Sequence, residues 1–359
     1  MPDSSLHVRH ETAGARFVEE AGWRIPADFG DARAEHIACR ESALLIDLSH
    51  RGKIRFEGPD AVPFLNGMLS NLVEGLGPGE GAYSTFLTRQ GKIVADMTLY
   101  RDEAGLLADI APGMAPVFAE AIDTFIIMDQ VEVRDCTEEM FTLGVFGPAS
   151  RPCLSKAGLE IPDLPENGNA SCAGVLAART LWTGEDGYLL MGHRDRAGEL
   201  WEKVEAAGAR PGGTAAFESL SMEAGIPLYG RELGPDVNPM QAGLEERAVD
   251  FEKGCYIGQE VIAKIKYLGQ VNRGLVGIRV AGNAVPPEGA SVMFGEMEAG
   301  VITRAIFSPT LEGVIAFAYL HRDAMVPGTQ VRIQPNDSFF EGEVAGLPFY
   351  KAPETIRTR

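Results

Sequence analysis

Three stretches of the 359-residue sequence combine residue types that could do chemistry. The first is Lys92-Ile-Val-Ala-Asp-Met-Thr-Leu-Tyr100, whose alternation reads as a strand with Ile93, Ala95, Met97 and Leu99 on one face. Asp96 then falls on the other face with Lys92, Val94, Thr98 and Tyr100. If that face is open, Asp96 is an ordinary solvated carboxylate. If it is covered, the carboxylate needs a donor or a shifted pKa, and it could hold a protonated amine. The second is Trp182-Thr-Gly-Glu-Asp-Gly-Tyr188. Turn chemistry alone accounts for Gly184, Asp186 and Gly187, but a carboxylate at a rigid turn, Glu185, could also grip two adjacent N–H groups bidentately.

The third is Lys253-Gly-Cys-Tyr-Ile-Gly-Gln-Glu260. Its glycines permit close backbone approach or positive φ. Cys255 beside Lys253 is either a structural thiol in a turn or a thiol activated by neighbouring positive charge. Lys253, Lys264, Lys266 and Arg273 stand out in an acidic chain, as a solvated charged face or as a basic rim for a polycarboxylate.

The elements that position these residues follow from periodicity and punctuation. Helices are expected over 32–41, 61–69 (N-capped by Asp60), 113–124, 196–207 and 214–224. Strands are expected over 53–56, 82–87, 92–101, 131–134, 177–183 and 188–191, with a hairpin turn at Arg89-Gln-Gly91. The glycine-rich run Gly75 to Gly81 fits neither phosphate-loop pattern and reads as a connection into that hairpin. Strands and helices alternate without regular parallel crossovers, so the class is α+β. Past Gly269 five or so short strands follow with no clear helix, which predicts a small closed β barrel. The expected domains are 1–268 and 269–359.

Bulk properties exclude several functions. A net charge of −19 opposes any nucleic-acid partner. No apolar run reaches bilayer length and no apolar leader follows the N-terminal charges, so a membrane is not expected. The five cysteines are scattered without a Cys-x-x-Cys pair, which fits a reducing, cytoplasmic setting and no metal site. His7 and His10 lie one helical turn apart near the terminus and are expected to be solvated.

The motifs Asp47-Leu-Ser-His-Arg-Gly-Lys-Ile54, Gly91-Lys-Ile-Val-Ala-Asp96, Thr183-Gly-Glu-Asp-Gly-Tyr188, Glu223-Ala-Gly-Ile-Pro-Leu-Tyr-Gly230, Asn238-Pro-Met-Gln-Ala-Gly-Leu244, Phe307-Ser-Pro-Thr-Leu311 and Leu347-Pro-Phe-Tyr350 run in one order. Together they resemble the aminomethyltransferase (glycine-cleavage T-protein) superfamily, over about residues 35–352. The resemblance implies a three-lobed fold, with two interleaved α+β lobes and a C-terminal β barrel around a central folate site. It places Asp96 at the reactive amine of tetrahydrofolate and Glu185 at the pterin edge. Tyr83 and Tyr188 would stand nearby; on this view the basic rim read above, with Lys253 and Lys264, would receive the folate's glutamyl carboxylates.

Lys253 to Glu260 is similar to the signature of one branch, the YgfZ-type folate-binding proteins that support iron–sulfur cluster assembly. On that leading reading Cys255 is the functional thiol and the partners are iron–sulfur clients. The alternative is a one-carbon transferase or demethylase of T-protein type, taking its aminomethyl group from a lipoyl carrier protein. A third reading is a folate-binding module without chemistry. Three departures stand out: Ala95-Asp96 where T-proteins carry two acids, Phe217 where they carry Arg, and Ile110-Ala-Pro-Gly113 in place of their Asn-Ala-x-Asn pattern.

Overall fold

The computed structural model describes residues 3–269, 271–335 and 339–353. Leu44–Asp47 is a run of four buried residues, and it becomes an interior strand of a six-stranded sheet between Met140–Phe146 and Arg210–Gly212. The chain then leaves that sheet and builds the whole five-stranded sheet, from Gly52–Glu57 to Glu132–Asp135. It returns to complete the first sheet with Met140–Phe146, Asn169–Cys172, Val175–Thr180 and Gly187–His193. The two α+β lobes are therefore interleaved. The five-stranded sheet packs helices over one apolar cluster, while the six-stranded sheet carries Ser150–Lys156 and Ala197–Ala206 on one face and Ala32–Glu41 and Thr214–Glu223 on the other.

From Arg273–Val280 onward six antiparallel strands close into a barrel around Ile278, Val292, Ile302, Ala318, Leu320 and Ile333. Five such strands are legible from turn spacing, and the sixth, Phe340–Ala345, closes the circle by pairing with both Arg273–Val280 and Gln330–Gln334. The α+β class and the barrel match the expectation. The structure adds an N-terminal hairpin, Arg16–Glu20 with Trp23–Asp28, and a helix, Gln259–Leu268, that alternation did not signal.

Three local expectations are corrected. Asp60 does not cap the helix Ala61–Met68 with its side chain; instead it accepts the Gln130 N–H at 2.8 Å, pinning a distant loop. His10 is not solvated. It is 1% exposed and bonds Asp47 at 3.0 Å, and Asp47 also accepts from the Ser4 and Ser49 hydroxyls. This network holds the Asp47 carboxyl at about 2, because its donors and the His10 charge outweigh burial.

Lys253 is the third correction, because it is no part of an open basic rim. Its Nζ is buried and donates to the carbonyls of Asn66, Leu69 and Asn71 at 2.7, 2.7 and 2.8 Å. It thereby satisfies carbonyls at the end of the helix Ala61–Met68, which that helix leaves without backbone partners. Burial lowers its pKa to about 8. Lys253→Met is expected to destabilise the protein by about 2–3 kcal/mol, since three buried carbonyls lose one shared donor. Lys264→Met, at an exposed position, should change stability by less than about 0.5 kcal/mol. Chemical denaturation of the two variants checks the contrast.

Candidate active site

Where the two sheets and the 226–231 segment meet, a cleft of about 440 Å³ opens. Asp96 lies on its wall because Ile93–Asp102 alternates as expected, with Met97 buried in the lobe core and Asp96 on the opposite face. Tyr83, on the paired strand Gly81–Leu87, stands diagonally across the ladder, since Thr85 is opposite Asp96 and Tyr83 opposite Thr98. That diagonal is within reach of a long aromatic side chain. The Tyr83 hydroxyl donates to Asp96 Oδ2 at 2.9 Å.

Asp96 Oδ1 is buried and has no partner among the described residues. Burial raises the Asp96 pKa above the ordinary carboxylate value, while the Tyr83 hydroxyl and the Arg51 charge partly offset the rise. The same pair pushes the Tyr83 phenol well above its usual value, mainly by burial and then by the Asp96 charge. A carboxylate with one oxygen held and the other bare is arranged to receive an N–H from a ligand.

Arg51 forms the next part of the wall. Its guanidinium pairs with Asp109 through Nε at 2.9 Å and Nη2 at 2.8 Å, and lies 4.3 Å over the Trp182 ring. His50 is buried beside it with Nδ1 unpartnered among the described residues. Burial, followed by the charges of Lys53 and Arg51 working against Asp47, lowers the His50 pKa to about 3, so the imidazole is neutral. Across from it the hairpin supplies Glu20, whose carboxyl burial pushes upward. Trp182 and Phe217 meet edge to face, with centroids 6.1 Å apart and ring planes at 65°. Tyr229, Arg231 and Arg247 complete the rim.

Of the residues singled out from the sequence, the fold brings Asp96 and Tyr83 together here and takes the other five elsewhere. Glu185 accepts the Tyr350 hydroxyl at 2.6 Å and pairs with Arg40 at 3.4 Å. It belongs to a junction where Arg40 also binds Glu223 at 2.6 Å and stacks on Tyr350 at 3.8 Å. Tyr188 is buried on the other side of the six-stranded sheet, among Leu143-side residues and Trp201. Lys253 caps carbonyls as described, while Lys264 and Cys255 are exposed and do not line the cleft. His50, Arg51, Trp182, Tyr229, Arg231 and Arg247 went unremarked as site residues. The first five lie in or beside the motifs quoted above, which was the available signal; Arg247 had none.

Among the described residues no group of three or more His, Cys, Asp or Glu side chains could hold a metal ion. No helix among them is long and apolar enough to cross a membrane.

Residues 6–253 match the GCVT N-terminal domain, and residues 273–351 match the glycine cleavage T-protein C-terminal barrel domain. The chain is 35% identical to an aminomethyltransferase of Streptomyces coelicolor, with 97% of each chain covered. It is 32% identical to an aminomethyltransferase of Caldanaerobacter subterraneus, covering 96% of this chain and 95% of that protein. Its fold superposes on the crystal structure of glycine cleavage system aminomethyltransferase T from Bartonella henselae with a TM-score of 0.92, at 28% identity over 98% of each chain.

These full-length relatives overturn the reading of the chain as an iron–sulfur assembly factor of the YgfZ type. The stretch that suggested it has local structural uses: Lys253 caps carbonyls and Tyr256 is buried in a core. Gly258 has φ +83°, and a Cβ there would stand 2.6 Å from the Thr88 carbonyl oxygen. From the matched domains, the full-length relatives and the superposed fold together, the chain belongs to the glycine cleavage T-protein (aminomethyltransferase) family.

Proposed function

We propose that this protein is a tetrahydrofolate-dependent aminomethyltransferase of the glycine cleavage type, taking its one-carbon unit from an aminomethylated lipoyl carrier protein. The observation that carries the reading is Asp96, whose Oδ2 is held by Tyr83 while its buried Oδ1 has no partner among the described residues. The cleft fits such a ligand: it has space for a drug-sized molecule, an aromatic wall at Trp182 and Phe217, and an acceptor for an amine N–H. Tetrahydrofolate would supply the two nitrogens that receive the methylene carbon; the donor's C–N bond breaks to release ammonia, its C–S bond breaks to return the carrier's dihydrolipoyl thiol, and the two folate N–H protons go to these leaving groups.

The protein's own contribution is placement. Asp96 orients the reactive nitrogen and takes up its proton's positive character, and Tyr83 fixes the carboxylate's rotamer. Arg51 is paired with Asp109 through Nε and Nη2, so its charge is largely balanced within the protein. The neutral His50 adds no competing cation. Phe217, where the family resemblance expects Arg, presents a ring, so carboxylate recognition falls to another cation.

The residues 1–268 would form the ligand-holding pair of lobes and 269–359 the barrel that closes on them through the Arg40 junction. The five unpaired cysteines suit a reducing cytoplasmic setting.

Purified protein given aminomethylated lipoyl carrier protein and tetrahydrofolate should release ammonia and form methylene-tetrahydrofolate stoichiometrically. No product above background with a carrier that a known T-protein turns over would sink the proposal.

A further inference from the structure

Three arginines among the described residues line the cleft, and their commitments differ. Arg51 is locked bidentately to Asp109 and stacked on Trp182. Arg231 is bonded to Glu288 at 2.8 Å and lies 3.7 Å from Glu218. Arg247 has only a loose partner: Glu166 at 3.7 Å, with both side chains partly exposed to solvent. Among the described residues its guanidinium donates no hydrogen bond, although a planar group with five N–H donors can bind a carboxylate through two of them.

The backbone beneath Arg247 is fixed. Asn71 Nδ2 donates both to the Tyr83 carbonyl at 2.9 Å and to the Arg247 carbonyl at 3.1 Å. Ser70 Oγ donates to the Ala248 carbonyl at 2.6 Å. The segment is thus stapled to the strand that carries Tyr83. The Arg247 guanidinium sits over the Tyr83 ring, 5.4 Å from its centroid, and the hydroxyl of that ring holds Asp96. The half-bare carboxylate and the loosely paired cation are therefore both set against one phenol ring.

That pairing of an amine-receiving carboxylate with a nearby, loosely held cation has a chemical counterpart. In a reduced folate, one benzoyl ring separates the reactive arylamine nitrogen from the glutamyl group and its carboxylates. We infer that Arg247 is the specificity-determining residue that receives the glutamyl carboxylate of the folate, exchanging its loose contact with Glu166 for a bidentate one. The inference rests on the folate reading above. It also explains how the cleft recognises a carboxylate with Phe217 in place of a cation. Arg247 acts on binding; it touches no reacting atom.

The test compares tetrahydrofolate with tetrahydropteroate, which lacks the glutamate, by anaerobic titration into the full chain and its Arg247→Gln variant. The wild type should bind tetrahydrofolate on the order of 10–100-fold more tightly than tetrahydropteroate, the scale of a charge-assisted bidentate contact. In Arg247→Gln the preference should collapse to within about threefold, with tetrahydropteroate affinity unchanged; that retained binding also reports an intact fold. Arg247→Lys should recover only part of the preference, because an ammonium cannot form the fork. If the wild type binds tetrahydrofolate and the variant keeps the full preference, or loses affinity for both ligands equally, Arg247 does not hold the glutamate while the folate reading stands. If the wild type binds neither ligand, the folate reading and this inference fall together.

Discussion

Asp96→Asn is expected to lower turnover of the aminomethyl donor on the order of 10²–10³-fold while leaving the protein folded and, if anything, more stable. The size follows from what the carboxylate does. An amide keeps the shape and can still accept the Tyr83 hydroxyl, but it brings no negative charge to the nitrogen that must become cationic during transfer, a contribution of general-base and electrostatic kind. The gain in stability follows from its surroundings. Asp96 is half-buried, its buried Oδ1 has no partner among the described residues, and burial raises its pKa.

A carboxyl whose folded pKa lies above its unfolded value disfavours the fold once it ionises, so replacing it by a neutral group removes a penalty present at neutral pH. The wild-type rate should also fall as pH drops through this raised pKa, at a higher pH than an ordinary aspartate would give. The variant should lack that acid limb. Steady-state rates across pH, with thermal melting of both proteins, check all three outcomes. A variant within tenfold of wild type would remove Asp96 from the reaction.

The largest expected stability effect lies outside the cleft. Glu223 is completely buried on the helix Thr214–Glu223 and joins three parts of the chain. It pairs with Arg40 at 2.6 Å and His36 at 3.3 Å, and it accepts from the Ser308 hydroxyl and the Thr310 N–H of the barrel. Glu223→Ala leaves the buried Arg40 guanidinium without its main counter-charge and removes the barrel's anchor. Breaking a buried pair in this way costs about 3–5 kcal/mol. The carboxyl is held at about 2 because its hydrogen bonds and the His36 and Arg40 charges outweigh its desolvation.

Its folded pKa is depressed, so its stabilisation is fully present above the unfolded value near 4.5 and disappears as pH falls toward about 2. Wild type should therefore lose stability across that window, and Glu223→Ala should lose less. Guanidine denaturation at neutral and acid pH measures both, and a neutral-pH difference under about 1 kcal/mol would contradict the junction's role. Glu185, bonded to Tyr350 in the same junction, has a structural task here that its turn position did not foretell.

Local pattern carried much of the architecture. Strict alternation in Ile93–Asp102 put Asp96 and Met97 on opposite faces, because a strand's side chains have a period of two whatever surrounds it. The helix Ala32–Glu41 formed where an apolar stripe follows Asp31, whose side chain caps Ala34 N–H. The Gly- and Pro-punctuated strands past residue 273 closed into the expected barrel. The hairpin Arg16–Glu20 with Trp23–Asp28 escaped notice because one strand is largely exposed and alternates weakly.

What the sequence by itself determined, then, is the α+β class, the barrel, the family and the strand face from which Asp96 projects. These depend on short-range periodicity and ordered motifs. Only the tertiary structure decided which charges meet the cleft. Lys253 stands within a dozen residues of Lys264, yet it turns inward to carbonyls more than 180 residues away, while Lys264 stays in water. Glu185 lies three residues from Trp182, but Trp182 lines the cleft and Glu185 faces the barrel's C-terminal segment. A charged side chain goes where burial is compensated by a partner, and for these residues each partner comes from a distant part of the chain. Asp96 is the exception that marks the site: it lines the cleft, and its buried Oδ1 is left without a partner among the described residues.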